Sequence, residues 1–353
     1  MLSQNEEPPL DPSDNLVANR KPLSSAGALG LLHNELFPRH YLAIENHRLY
    51  PFTIEAKTLF DRYAKFIEAP LSDYTFANNI IWLSQKSGFY QIIEDCFCLF
   101  SLNGNRLTML LPPMGAASRQ LAAIEACFRI MDGYNPTPYF SMVEYVYRDF
   151  MNVLNSVADR WMIERSLPDY IYRTDDLIQL KGNAYKTKRS EINQFRRTYL
   201  DHRLEQLGPQ HWDGIRELIN TWLHNRIKYM SGETIADFFY TVEQERQAIE
   251  RALAHYNTLD LRGLCLFINN RLEGFTFGER ITPDVANVLV EKTNFAIPGS
   301  AQYLFREFAK DLSGCTFINV GDDLGLENLR RVKMSYRPAL FGEKITLRHN
   351  SPL

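Results

Sequence analysis

"LRGLCLFINNRLEGFTFGERITPDVANVLVEKTN", residues 261–294, decides the fold. Its apolar runs "LRGLCLFI", "RLEGFTFGERI" and "VANVLVEKTN", with a turn at Asn269-Asn270, predict a three-strand meander. In the last run both alternating faces, Val285 with Leu289 and Ala286 with Val288 and Val290, are apolar apart from Asn287. That pattern predicts a central strand covered on both sides. The strand then ends abruptly in Glu291, Lys292, Thr293 and Asn294, and Pro298-Gly299-Ser300 leads into a helix. Polar groups at the end of a buried strand, beside a helix N-terminus, suit an acyl donor or an oxyanion. A Glu–Lys ion pair at a sheet edge with a plain helix cap at Ser300 would account for the same residues.

Downstream, a helix over 300–312 and a strand "CTFINV" precede "DDLGLENLRRVKMSYRP" (322–338). Here two aspartates open a short helix, Asp322 or Asp323 serving as N-cap. Its face should be Leu326, Leu329, Val332 and Tyr336, yet Lys333 falls on the same arc. Either the lysine stem packs on the core while its ammonium snorkels out, or the ammonium stabilises negative charge at a reacting carbonyl or holds a phosphate. A last strand, "EKITLRH", follows.

Upstream, "YIYRTDDLIQLKG" leads into the helix "NAYKTKRSEINQFRRTYL". One stripe of that helix carries Lys186, Arg189, Asn193, Arg196 and Arg197; the other carries Ile192, Phe195 and Tyr199, with Lys188 among the apolar residues. Such a stripe is compatible with phosphate binding and also with a solvated helix face. A strand-like "HRLEQLG" and long helical sequence through "TVEQERQAIERALAHY" complete the second half. In the first half, apolar runs such as "NNIIWLS", "FYQIIEDCFCLFSL" and "RLTMLLPPMG" alternate with helical patterns such as "GAASRQLAAIEACFRIMDG". "LNGNR" at 102–106 reads as a hairpin turn.

Both halves are mixed, without a visible sequence repeat, which predicts an α+β protein of two layers. The expected division is a disordered, proline-rich tail over 1–28, an N-terminal unit over 29–165 and a C-terminal unit over 166–353. A chain of 353 residues with 45% hydrophobic and 23% charged residues is globular. The net charge of −3 gives no global footprint for nucleic acid, so an RNA partner needs a local patch. Five cysteines fit no zinc spacing, and Cys96 and Cys98 read as core thiols on one face of a strand. The eight histidines show no metal-ligand spacing, and GxxxxGK[ST], HExxH and GxSxG are absent. No apolar stretch reaches 18 residues and the N-terminus is unlike a signal peptide, so a cytoplasmic protein without an integral membrane segment or metal is expected.

Three segments, "DYIYRTDDLIQLKGNAYKTKRSEINQF", "EKTNFAIPGSAQYLFREFAKDL" and "FINVGDDLGLENLRRVKMSYRP", resemble in order the recurring blocks of the phosphatidylglycerol lysyltransferase C-terminal-like proteins. The resemblance spans roughly 170 residues and extends more weakly to "FANNIIWL". It implies two tandem GNAT-like (acyl-CoA N-acyltransferase-like) domains, each a mixed sheet with flanking helices, and an aminoacyltransferase activity dependent on aminoacyl-tRNA. The blocks map onto Lys186, Lys188, Arg189, Asn193 and Phe195; onto Glu291, Lys292, Asn294, Pro298 and Gly299; and onto Asn319, Asp322, Asp323, Lys333, Ser335 and Tyr336. Ser190-Glu191 and Val320-Gly321 depart from the family pattern. Acetyl-CoA users of this fold carry a glycine-rich loop whose bare amides cradle the pyrophosphate. Here the corresponding stretch reads "FAIPGSAQ", with one glycine and a proline lacking an amide donor.

The expected site therefore lies in the C-terminal half, with no bound cofactor and aminoacyl-tRNA as donor, acyl-CoA being the alternative. Lys186, Lys188, Arg189, Asn193, Arg196 and Arg197 would hold the donor. Lys333 would stabilise the oxyanion, and Asp322 or Glu291 would orient or deprotonate the nucleophile. Lys292, Asn294, Gly299, Asn319, Asp323, Ser335 and Tyr336 would line the pocket for a small-molecule, peptide or lipid acceptor. A tandem fold that only binds a ligand or RNA is the non-enzymatic alternative.

Overall fold

The computed structural model describes residues 41–350 apart from 68, 84–86 and 228–233. The tail expected over 1–28 lies outside the described residues. In chain order the first half contains β1 (Leu42–Ile44), β2 (His47–Pro51), α1 (Lys57–Ala64), α2 (Phe76–Trp82), β3 (Gly88–Ile93), β4 (Cys96–Asn103), β5 (Arg106–Met109), α3 (Ala117–Tyr134), β6 (Val143–Tyr147), α4 (Met151–Leu154) and β7 (Trp161–Arg165). The second contains β8 (Asp169–Arg173), α5 (Thr174–Gln179), α6 (Lys186–Thr198), β9 (His202–Gln206), α7 (Trp212–Ile227), α8 (Thr234–Ala254), β10 (Arg262–Ile268), β11 (Arg271–Thr282) and β12 (Val285–Thr293). It continues with α9 (Ser300–Asp311), β13 (Phe317–Asn319), α10 (Glu327–Ser335), β14 (Leu340–Gly342) and β15 (Lys344–His349).

Among the described residues these strands form two mixed sheets, ordered β1-β2-β3-β4-β5-β6-β15-β7 and β14-β8-β13-β12-β11-β10-β9. The sheets repeat one motif. An antiparallel meander (β3-β4-β5, β10-β11-β12) is followed by a helix (α3, α9) and then by a strand parallel to the last of the meander (β6, β13). This is the tandem arrangement of two GNAT-like units. Hairpin chemistry matches the turns: Gly104 takes φ +60° between β4 and β5, and Asn269 and Asn270 take φ +48° and +64° between β10 and β11. β12 occupies the middle of its sheet, as its apolar faces require.

Three apolar clusters hold the layers. One packs α3 on the first sheet around Phe100, Phe128 and Val146, and one packs α5, α6 and α9 on the second around Phe195, Leu304 and Phe308. The third is shared: Phe52, Phe60 and Phe97 of the first half meet Ile215, Ile249, Phe275 and Phe277 of the second. Burial of each such phenylalanine contributes about 2 kcal/mol, so the two units are joined by core. All five cysteines are buried free thiols, and Cys98 lies under α3 beside Cys127.

Two expectations change. "NNIIWLS" belongs to α2, because Thr75 caps the segment by accepting the Asn78 amide, and its apolar residues pack against α8. The last strand, assigned by sequence to the C-terminal unit, pairs with β6 and β7 in the first sheet. Its pairing partners lie about two hundred residues upstream, a separation that local pattern does not encode.

Candidate active site

β12 and β13 pair in parallel over three residue pairs, from Val285–Phe317 to Asn287–Asn319. β13 then stops while β12 runs on to Thr293, which opens the sheet at its centre. In the first unit the equivalent strand β5 runs into buried Leu110, Leu111, Pro112 and Pro113, which offer no polar side chain. β12 instead presents Glu291. A bulge leaves Leu289 unpaired between the Phe277–Val290 and Gly278–Val288 pairs and reverses the alternation. Lys292 therefore turns to the α7–α8 face, 2.8 Å from Glu245 and 3.9 Å from the Trp222 ring centroid. Glu291 turns the other way, toward Tyr336.

The Glu291 residue is half-buried, but its Oε2 is sealed from solvent without a hydrogen-bond partner among the described residues. Burial pushes its carboxyl up to about 8. Around it, Tyr336 is buried, and Lys188 lies 4.7 Å from the Tyr336 ring centroid and 3.6 Å from Glu191. Burial, then Glu291 and Glu191, push the Tyr336 phenol well above its ordinary range. A carboxyl poised near neutrality beside an open sheet centre is suited to proton transfer.

The loop from β12 to α9 uses its amides internally. Ala296 N–H donates to Asn294 Oδ1 (3.0 Å), Ile297 N–H to Asn294 O (3.0 Å) and Ser300 N–H to Ile297 O (3.3 Å), while Pro298 has none. Asn294 is itself held by Glu273, at 2.8 Å from its Nδ2. The expected cap at Ser300 is corrected: Gly299 is the N-cap, at φ +82°, and the Ser300 hydroxyl donates to Ile297 O. A side chain at Gly299 would strike the Glu191 carbonyl and come within 2.9 Å of Phe195 Cβ, so this glycine lets α9 start directly on α6.

On the other side of the opening, the helix begins three or four residues later than expected. Asp322 Oδ1 accepts the Leu324 amide (2.8 Å) and Asp323 Oδ1 the Gly325 amide (3.0 Å), two side-chain turns with Leu324 and Gly325 at positive φ. Neither aspartate caps α10, whose N-cap is Leu326. The expected buried face is also wrong: Leu326 and Val332 are 50% and 52% exposed, and Tyr336 and the Lys333 stem face inward. The Lys333 ammonium donates to the carbonyl oxygens of Val320 (2.6 Å), Gly321 (3.2 Å) and Asp322. Its three N–H bonds are thus occupied by the loop, the opposite of an ammonium aimed at a reacting carbonyl. Burial lowers it to about 8, with Asp322, Asp169 and Asp323 opposing. The Tyr170 hydroxyl donates to Asp323 (2.7 Å), and Ser335 donates to Val332 O (2.6 Å).

Asn319 is fully buried: its amide donates to Asp169 Oδ2 (2.8 Å) and Pro70 O (3.0 Å), and its oxygen accepts the Gly321 amide. These contacts lead to groups that the sequence reading missed. Lys344, at the start of β15, lies 2.8 Å from both Asp73 and Asp169 and 3.5 Å from Asp322. Asp169 also accepts the Ser72 amide and hydroxyl. Sequence spacing held no signal for this cluster; only the placement of β15 in the first sheet assembles it.

The basic helix divides. Lys186, Asn193, Arg196 and Arg197 are exposed on α6, which α9 abuts. Arg189 is spent on the Leu180 and Gly182 carbonyls, the latter at 2.7 Å, and Lys188 is buried on Tyr336, so neither belongs to the exposed basic surface. No group of His, Cys, Asp and Glu among the described residues could hold a metal, and none of the described helices is long and apolar enough to cross a membrane.

The family model described as phosphatidylglycerol lysyltransferase, C-terminal, matches residues 64–347. A conserved protein of unknown function from Bacteroides thetaiotaomicron is 25% identical, with a TM-score of 0.72 over 86% of this chain and 99% of that one. The C-terminal domain of a putative lysylphosphatidylglycerol synthetase from Agrobacterium fabrum is 12% identical (TM-score 0.60; 85% and 93% covered). L-PGS from Bacillus licheniformis is 13% identical (TM-score 0.58; 84% and 93% covered). These last two likenesses establish the fold alone. A comparison with curated proteins finds no match.

Proposed function

The chain belongs to the phosphatidylglycerol lysyltransferase C-terminal family, a GNAT-like acyltransferase family, and on that footing we propose that it moves an aminoacyl group from aminoacyl-tRNA to an amine or hydroxyl of a small-molecule, peptide or lipid acceptor. The observation that carries this reading is the loop between β12 and α9, whose amides at 296, 297 and 300 are internally bonded and whose residue 298 is a proline. A pyrophosphate cradle of the acyl-CoA kind needs those amides free. Beside that loop α6 exposes Lys186, Arg196 and Arg197, cations suited to the phosphates of an RNA 3′ end.

In this reading Glu291 is the base that takes the proton of the attacking amine or hydroxyl, and Tyr336 packs the pocket beside it. Lys333 holds the 320–322 carbonyls and so shapes the acceptor side, a positioning role in place of oxyanion stabilisation. An aminoacyl ester is already activated, so positioning and proton transfer suffice without a covalent intermediate. The test is filter retention at moderate salt of aminoacylated tRNA, the same tRNA deacylated, and labelled acetyl-CoA. Preferential retention of the charged tRNA is expected; retention of acetyl-CoA instead would move the protein to the CoA-dependent acyltransferases, and retention of none would leave a non-catalytic role.

A further inference from the structure

The polar seam between the two sheets is built from groups far apart in the chain. On the first-unit side stands the turn Ser72-Asp73-Tyr74-Thr75, together with Lys344 of β15. Facing it from the second sheet are Glu279 of β11, Asn287 of β12, Asn319 of β13 and Asp169 of β8, on adjacent strands in that order. The Thr75 hydroxyl donates to Glu279 Oε1; the Ser72 amide and hydroxyl donate to Asp169 at 2.9 Å each; Asn319 donates to Pro70 O. Lys344 joins Asp73 to Asp169 and reaches Asp322. Asn287 is buried with both side-chain polar atoms unpartnered among the described residues. Through Asn319, which accepts the Gly321 amide, and through Asp322, the seam is tied directly to the loop that Lys333 clamps.

We propose that the 72–75 turn is a proton-sensitive joint that positions the 320–323 loop: it closes on the second sheet as its carboxyls take up protons and loosens as they ionise. This rests on the reading of that loop as the acceptor side of the acyl-transfer site. Asp73 faces Lys344, Asp169, Asp322 and the Tyr145 ring, with Lys333 beyond Asp169; Glu279 faces Thr75, Lys57 and Asp61. Burial, only partly offset by Lys344, raises Asp73 to about 6, and burial raises Glu279 to about 7. A carboxyl raised in the closed state and ordinary in the open one favours closure where the closed state binds the extra proton. Closure therefore weakens as pH rises from about 4 through 7. The other charged groups do not oppose this within that window. Burial raises Asp169, but Lys344 together with the hydrogen bonds from Ser72 and Asn319 holds it below the usual carboxylate range, and Asp73 and Asp169 hold Lys344 above its own against burial.

Amide hydrogen exchange read by mass spectrometry, corrected for the intrinsic rate at each pH, tests this without any substrate. In the wild type, protection of peptides covering 70–75 and 320–326 should fall between pH 5 and 8, by about tenfold at most for Asp73 alone and by more for Glu279. Glu279→Gln should remove most of that slope, Asp73→Asn the smaller remainder, and Asp73→Asn with Glu279→Gln should flatten it while all three variants keep the wild-type circular dichroism spectrum. A flat wild-type profile, or an unchanged slope in the double variant, would overturn the proposal. Because the exchange needs no donor, loss of donor binding with the slope intact would count against the functional reading alone. Transfer with a flat profile would count against the joint alone.

Discussion

The ammonium of Lys333 meets the carbonyl oxygen of Val320 at 2.6 Å, thirteen residues back along the chain. A long side chain set on the inner side of a short helix thereby closes the preceding loop, and the helix end and the loop form one unit. That relation makes Lys333 a fastener, with consequences for stability as well as for transfer.

Lys333→Met keeps the stem volume and removes the donors. It should destabilise the fold by about 1–3 kcal/mol, because three carbonyls lose a buried charged partner. Urea unfolding at pH 7 measures this. The lysine is lowered to about 8 when folded, so the unfolded chain binds the extra proton between there and its ordinary value of 10.5. Wild-type stability should therefore gain on the Met variant as pH rises from 8 to 10.

Glu291→Gln should reduce transfer by about 10²–10⁴-fold, the usual worth of a positioned base. In the wild type the rate should climb with pH through about 8 as the carboxyl ionises, and the Gln variant should lack that limb. Stability runs the other way. A carboxyl raised by burial contributes most where it is protonated and loses that contribution as pH rises through 8. Thermal melts at pH 8.5 should find Glu291→Gln more stable than wild type; equal melting at pH 5 and a lower melt at 8.5 would contradict the burial argument.

Arg196→Ala and Arg197→Ala should weaken retention of charged tRNA, each lowering the slope of log affinity against log salt by about 0.7–0.9 if it contacts one phosphate. Arg189→Ala should leave that slope unchanged and instead destabilise the protein, since its guanidinium is spent on Leu180 and Gly182. Titrations at four salt concentrations separate these outcomes.

Gly299→Ala should cost about 1–2 kcal/mol from the left-handed backbone alone, and more from the collision with the Glu191 carbonyl. Denaturant unfolding reads the stability. A drop in donor retention greater than the unfolded fraction explains would indicate that α9 has shifted on α6.

Much of the fold was legible because the meander advertises itself: two-residue alternation, an Asn-Asn turn and a last strand apolar on both faces can sit only at the centre of a covered sheet. Glu291 and the exposed Lys186, Arg196 and Arg197 were readable for the same reason, being polar groups placed by a regular element. The Leu289 bulge was not readable, so the opposite orientations of Glu291 and Lys292 could not be foreseen. Nor was the start of α10. Consecutive aspartates before an apolar residue look like caps, and only the positive φ of Leu324 reveals that they fold the chain into turns first. Asp73, Asp169 and Lys344 were invisible because their meeting depends on where β15 pairs, and Asp73 and Lys344 are 271 positions apart in the chain.

The placement of β15 also orders events in time. It lies between β6 and β7, so the first sheet to be synthesised cannot finish assembling until residue 349 has been made. While the second half emerges, β6 presents an unpaired edge to its surroundings, a condition that invites pairing with other chains. Loss of residues 344–349 would therefore injure the beginning of the protein, leaving β7 detached and the β6 edge permanently open.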